Sequence, residues 1–249
     1  MIEAPVVIVT GGAGYIGRGL CELFLKDGYV VVVADLNAEA AERTASEIGG
    51  SDGHAIGVGI DVTDETSAAD MVHAVESRFG RIDALINNAG LFGDPTWTGP
   101  MLGVDMKAWD AVMEVNVKGP VVVTRAVAPI MRKAKWGRIV NVSSQGAYKP
   151  AGVYSASKLA VHQVTWNLAK ELGDDGITVN CVAPGTMDTP TAFANKPRAH
   201  VLSMPEKSIV KRLGNAADLY AAMKYFVSKE SEWCTGQSLL VNGGAEVRL

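Results

Sequence analysis

The stretch "TGGAGYIG", Thr10 to Gly17, packs four glycines into eight residues near the start of the chain. Read from Gly12, it satisfies G-x-G-x-x-G with Gly12, Gly14 and Gly17. The pattern is informative when a buried strand precedes it, a helix follows, and an acid stands about 20 positions further on. All three conditions hold. Val6-Val7-Ile8-Val9 is a β-branched run of the kind a strand buried on both faces needs. Ile16, Leu20, Leu23 and Phe24 then recur at helical spacing up to Gly28, a natural C-cap. A second apolar run, Tyr29 to Ala34, ends at Asp35. This is a β-α-β unit whose glycines let the backbone approach a pyrophosphate, with helix N–H groups aimed at the anion.

Working outward, helical patterns fall near Ala38–Ile48, Asp64–Phe79, Lys107–Lys133, Tyr154–Leu172 and Ala216–Val227. Extended runs lie between them at His54–Ile60, Ala84–Asn87, Arg138–Val142, Ile177–Ala183 and Ser238–Val241. The alternation predicts a single α/β domain over residues 1–249, a doubly wound parallel sheet of about seven strands with helices on both faces. Two stretches, Leu91–Val104 and Thr186–Gly214, have no clear pattern. Long irregular segments that follow strands in such folds are binding loops or lids.

The 249 residues suffice to bury a sizeable core. A net charge of −4 and no basic cluster argue against nucleic-acid binding. No apolar run approaches the roughly 20 residues of a membrane helix, and the start lacks a secretion signal. Cys21, Cys181 and Cys234 are odd in number and scattered, which reads as reduced packing residues of a cytoplasmic protein. His54, His73, His162 and His200 show no ligand spacing, so no metal is expected.

"VYSASK" sets Tyr154 and Lys158 four residues apart, on one face of a predicted helix. Upstream, "NVSS" leaves Ser143 and Ser144 just beyond a strand, on the same edge as the glycine loop. "NNAG" (Asn87–Gly90) and "APG" (Ala183–Gly185) also follow strands. In this order, with Asp61-Val62, Asn116 and "TGQSLLVNGG" near the end, the chain resembles the short-chain dehydrogenase/reductase family in its short single-domain subclass. The resemblance implies that Tyr154 is the acid/base, Lys158 its partner, Ser144 the ligand of the substrate oxygen and Asn116 a relay residue. It implies a nicotinamide dinucleotide held by Gly11, Gly12, Gly14, Tyr15, Ile16, Gly17, Asp35, Leu36, Asp61, Val62, Asn88, Ala89, Gly90, Tyr154, Lys158, Pro184, Gly185, Met187 and Thr189. It also implies a homotetramer built through the long helices and the C-terminal segment.

Three positions depart from the family pattern. Gly14-Tyr15 stands where this subclass has its middle glycine one place later. Ser144 and Tyr154 are closer than usual, so both Ser143 and Ser144 are candidates, with Ser144 the expected one. Asn242 replaces a more common aspartate.

Asp35, followed by Leu36, predicts NAD, because its carboxylate accepts from the adenosine ribose and repels a 2′-phosphate. An unperturbed tyrosine pKa near 10 is too high for a base at neutrality, so Lys158 and the cationic nicotinamide are expected to favour tyrosinate. The leading expectation is therefore an NAD-dependent dehydrogenase of a neutral, largely apolar secondary alcohol or its ketone. Phe92, Trp97, Met101, Met187, Phe193, Leu202 and Met204 are candidate pocket walls, and Gln145 adds an uncharged hydrogen-bonding group. Lys196, Arg198 and Lys207 argue for an anionic substrate instead, and the segment from Thr186 is expected to close over it. The competing readings are a 3-oxoacyl-thioester reductase docking an acidic carrier through Arg132, Lys133 and Lys135, and a catalytically silent dinucleotide sensor. An epimerase or dehydratase fits less well, since the extra substrate domain is missing.

Overall fold

Seven strands, all parallel, form one sheet in the order β3-β2-β1-β4-β5-β6-β7. The computed structural model describes residues 3–49, 53–194 and 198–247. The strands are β1 Val6–Thr10, β2 Val30–Asp35, β3 Ala55–Gly59, β4 Ala84–Asn87, β5 Gly137–Val142, β6 Ile177–Pro184 and β7 Ser238–Val241. The main helices are α1 Tyr15–Lys26, α2 Ala38–Gly49, α3 Glu65–Phe79, α5 Met106–Met113, α6 Gly119–Ala134, α7 Gly152–Leu172 and α10 Ala216–Val227. Three short ones, α4 Pro95–Thr98, α8 Pro190–Ala194 and α9 Arg198–Ser203, lie in the loops. The fold is a single-domain Rossmann-type sheet with helices on both faces.

The two-residue period of each strand sorts its side chains between two apolar layers. Val6, Ile8, Val30, Val32, Leu85, Ile139 and Val179 join Met71, Val75, Val123, Val127 and Leu172 of α3, α6 and α7. Val7, Val9, Val31, Val33, Ile86, Val140 and Val182 join Leu20, Phe24, Ala41, Leu219 and Met223 of α1, α2 and α10. Burial on both faces is why β1 and β2 read as unbroken valine-rich runs rather than as alternation. Chain order reverses between β1 and β4, so the C-terminal ends of those strands open a crevice there.

Two expectations need correction. The predicted Lys107–Lys133 helix is not continuous: a π-helical turn, Glu114–Lys118, separates α5 from α6. Pro120, at the start of α6, has no N–H to give the carbonyl four residues back, at Asn116. The two stretches without pattern are partly helical, holding α4, α8, α9 and 3₁₀ turns at Met101–Gly103 and Met204–Lys207. Elements of three to six residues are too short for a helical repeat to register in sequence.

Candidate active site

The glycine loop is shaped by contact. A Cβ on Gly17 would stand 2.0 Å from the Gly11 carbonyl oxygen, and one on Gly12 2.8 Å from that of Val9. Gly14 is exposed, meets nothing closer than 3.3 Å, and caps α1 without a side-chain hydrogen bond. The first turn of α1 carries no acid, so its positive end is uncompensated by its own side chains. That uncapped N-terminus beside a glycine-lined approach fits a pyrophosphate.

Asp35, at the tip of β2, accepts from the backbone N–H of Ala13 at 3.1 Å and of Asn37 at 3.2 Å. It thus ties the glycine loop to the second strand. Leu36 is largely exposed. Arg18, the basic residue nearest the loop in sequence, is paired with Glu22 at 3.1 Å and Glu47 at 2.5 Å. Asn88 donates to the carbonyls of Thr10 (3.0 Å) and Gly11 (3.2 Å), while the N–H groups of Asn88 and Ala89 bond the Thr10 hydroxyl. Asp61 is exposed and accepts from Thr63, whereas Val62 is buried in the sheet's first layer. Pro184 ends β6, and Gly185 packs on Asn242. Met187 bridges to Gly214 and packs on the second layer, and the Thr189 hydroxyl caps the turn to Ala192. Because all strands are parallel, these groups gather along one edge of the sheet.

At that edge α7 presents Tyr154 and Lys158, both buried. Burial pushes the Tyr154 phenol up to about 12, with a hydrogen bond from Ser144 pulling the other way. Burial lowers the Lys158 ammonium to about 8. Lys158 Nζ donates to the Val142 carbonyl at 3.0 Å and lies 5.9 Å from the Tyr154 ring centre. Desolvation of the phenol sets the direction of its shift, while Lys158 is held on a carbonyl.

The two serines are separated by their partners. Ser143 is buried and gives its hydroxyl to the Lys158 carbonyl at 2.7 Å, with His162 Nε2 also at 2.7 Å. Ser144 accepts from the Gly146 N–H at 2.9 Å, leaving its own proton to the site beside Tyr154. Asn116, on the π turn, accepts from the Leu91 N–H at 2.7 Å and donates to the Leu91 carbonyl at 3.2 Å and to Ser157 at 3.0 Å. It clamps the loop after β4 to α7. Sequence reading missed Ser155 and Ser157. Ser155 binds the Gly146 carbonyl and accepts from the Ala151 N–H, while Ser157 binds the Tyr154 carbonyl. Their signal was two serines inside a helix, where hydroxyls compete for backbone groups.

Of the pocket candidates, Phe92 lies 5.5 Å from the Tyr154 ring and is half exposed, as are Met101 and Leu202. Arg198 stacks on Phe193 at 5.3 Å and Lys207 is exposed, while Lys196 lies outside the described residues. A hollow of about 410 Å³ lies within the 186–214 segment, and one of about 230 Å³ lies between that segment, Asp218 and the turn at Val241–Gly243.

Asn242 acquires a role. Its Oδ1 accepts from the Gly244 N–H and its Nδ2 donates to the Glu246 carbonyl, both at 3.0 Å, closing the turn after β7. Glu246 also pairs with Lys149 at 2.9 Å, next to the 3₁₀ turn after Ser144. Asn242→Asp loses the donor and sets a carboxylate against a carbonyl, so a cost of about 1 kcal/mol and a Tm lower by about 2–4 °C are expected in a thermal melt. An unchanged melt would remove this clip.

A Rossmann sheet with a glycine-lined helix N-terminus, and a buried tyrosine and lysine beside a serine, is an arrangement suited to a dinucleotide-dependent oxidoreductase. The family model described as short chain dehydrogenase matches residues 5–199, and the chain belongs to that family, whose members act on CH–OH groups with NAD or NADP. An uncharacterized oxidoreductase of Mycobacterium tuberculosis is 38% identical over 100% of both chains. A 3-oxoacyl-[acyl-carrier-protein] reductase of Thermotoga maritima is 36% identical over 98% of each. The crystal structure of levodione reductase superposes with a TM-score of 0.88 at 28% identity, covering 96% of each chain.

Proposed function

We propose that the protein transfers a hydride between NAD and a neutral, largely apolar secondary alcohol or its ketone. The observation that carries this reading is the pair of buried groups on α7, Tyr154 and Lys158, set beside Ser144 at the sheet edge where the glycine loop opens. The nicotinamide supplies the hydride; the chain supplies geometry and the proton. Ser144 holds the substrate oxygen with its hydroxyl. Tyr154 gives that oxygen its proton as a ketone is reduced, and as tyrosinate, favoured by the charges of Lys158 and oxidised nicotinamide, takes the proton back in the reverse direction. Lys158 fixes the phenol's surroundings with its charge, and Asn116 positions the loop carrying Gly90 and Leu91.

Asp35 supports NAD, and Arg18, the basic residue nearest the glycine loop in sequence, is engaged by two glutamates rather than offered to a 2′-phosphate. A phosphate roughly 4 Å from that carboxylate is repelled by up to about 4 kcal/mol in a half-exposed site. NADP(H) should therefore give a kcat/KM at least about 100-fold below NAD(H), measured over a panel of secondary alcohols and ketones. A higher value with NADP(H) would overturn the cofactor assignment, and no turnover with either nucleotide would leave a silent sensor.

The exposed position of Lys207 and the stacking of Arg198 on Phe193 favour a neutral substrate. The segment at about 186–214 serves as the lid. A carrier-docking reductase is the weaker reading, because Arg132 and Lys135 are occupied by Asp175 at 2.8 and 2.9 Å. A homotetramer fits the apolar residues left outward on α7 and beyond α10, Leu159, Trp166 and Trp233. Free cysteines suit a cytoplasmic setting.

A further inference from the structure

Gln145 follows Ser144 and opens the 3₁₀ turn Gln145–Tyr148. The turn sits against the reacting tyrosine: a Cβ on Gly146 would come within 3.1 Å of the Tyr154 ring and 3.2 Å of Ser144 Oγ. Ser155 holds the turn to α7 through the Gly146 carbonyl at 2.7 Å. The Gln145 side chain is thus carried on a fixed element one residue from the proposed ligand of the substrate oxygen.

Its two ends are treated unequally. Nε2 donates to the Thr186 hydroxyl at 3.4 Å, at the root of the lid segment. Oε1 is buried and has no hydrogen-bond partner among the described residues. Only one other buried side-chain oxygen among them, Thr178 Oγ1, is left in that condition. Thr178 lies near the N-terminal end of β6, away from the site edge, and Gln145 lies on it. Thr186 also lines the cavity of about 230 Å³ beneath Pro205, Val210 and Asn242. A buried acceptor with no donor destabilises the folded protein, and a native protein that keeps one answers it with a ligand or an ordered water.

We infer that Gln145 reads a hydrogen-bond donor on the substrate. Building on the function proposed above, the substrate is an α-hydroxy ketone, or the vicinal diol that corresponds to it, rather than a plain ketone. With its carbonyl oxygen at Ser144 and Tyr154, the neighbouring hydroxyl reaches Oε1. The same hydroxyl is what a neutral, otherwise apolar molecule needs to fix its orientation beside Phe92. A ketone without that group leaves Oε1 buried and unanswered, and a diketone sets a second acceptor against it. Discrimination therefore comes from the unpaired group as much as from the bond formed.

The test compares kcat/KM for reduction of three matched ketones on cyclic, acyclic and aryl skeletons: the ketone, its α-hydroxy derivative and its α-diketone. For the cyclic set these are cyclohexanone, 2-hydroxycyclohexanone and 1,2-cyclohexanedione. The wild-type protein is expected to favour the hydroxy ketone by at least about tenfold. Gln145→Met, similar in size and without the acceptor, should bring that ratio close to one. Gln145→Glu keeps an acceptor oxygen and should keep the preference. Each ratio is taken within one protein, so a general loss of activity or of folded material cancels. A wild-type preference for the plain ketone or the diketone, or a ratio unchanged in Gln145→Met, overturns the inference while the oxidoreductase reading stands. Failure of all three skeletons with both NADH and NADPH overturns that reading, and this one with it.

Discussion

Tyr154→Phe is expected to lower kcat by about 10²–10⁴-fold, the range that loss of a positioned proton donor produces. NADH affinity should stay within about twofold of wild type, because the ring and its contact with Phe92 remain. Burial holds the phenol's pKa at about 12, so at neutral pH the proton is in place when a ketone arrives. The fall should therefore appear in both directions of the reaction, since both need the same hydroxyl. Stability should change little or rise, because the substitution removes a buried hydroxyl. Steady-state kinetics with NADH fluorescence titration checks both halves, and near-normal turnover would remove Tyr154 from the chemistry.

Lys158→Met should abolish turnover and change how stability depends on pH. Burial takes the ammonium from 10.5 to about 8, against one hydrogen bond to Val142. Between those values the unfolded chain binds more protons than the folded one, so stability rises with pH across that window. Below about pH 8 the full cost of the buried charge, roughly 3 kcal/mol, is present. Methionine has no such titration. The wild type should thus gain about 2 kcal/mol on the mutant between pH 7 and pH 10, read from urea midpoints at each pH. Tyr154 and Cys181, both raised by burial, titrate in either protein and largely cancel in the difference. A pH-independent difference would show that the lysine is not a buried cation.

The β-α-β entry, the acid at the end of β2, and the Tyr154/Lys158 pair were legible because each rests on local period or on a spacing within one element. Val6–Thr10 had to be buried on both faces, and residues four apart had to share a helical face. The seven strands followed from the same alternation, to within a residue or two at their ends.

What tertiary structure decided were the competitions between partners far apart in the chain. Whether Ser143 or Ser144 faces the site turned on Lys158 and His162, which claim the first. Asn116 acquired its task from a π turn and from Leu91, 25 residues away. Arg18 found its partner in Glu47, on another helix. The direction of the Tyr154 shift was the clearest case. Sequence supplied a nearby cation, but only the packed structure set how much water the phenol loses, and desolvation set the direction against a hydrogen bond from Ser144. Local geometry is written in the order of residues, whereas burial and the choice among hydrogen-bond partners exist only once distant segments meet.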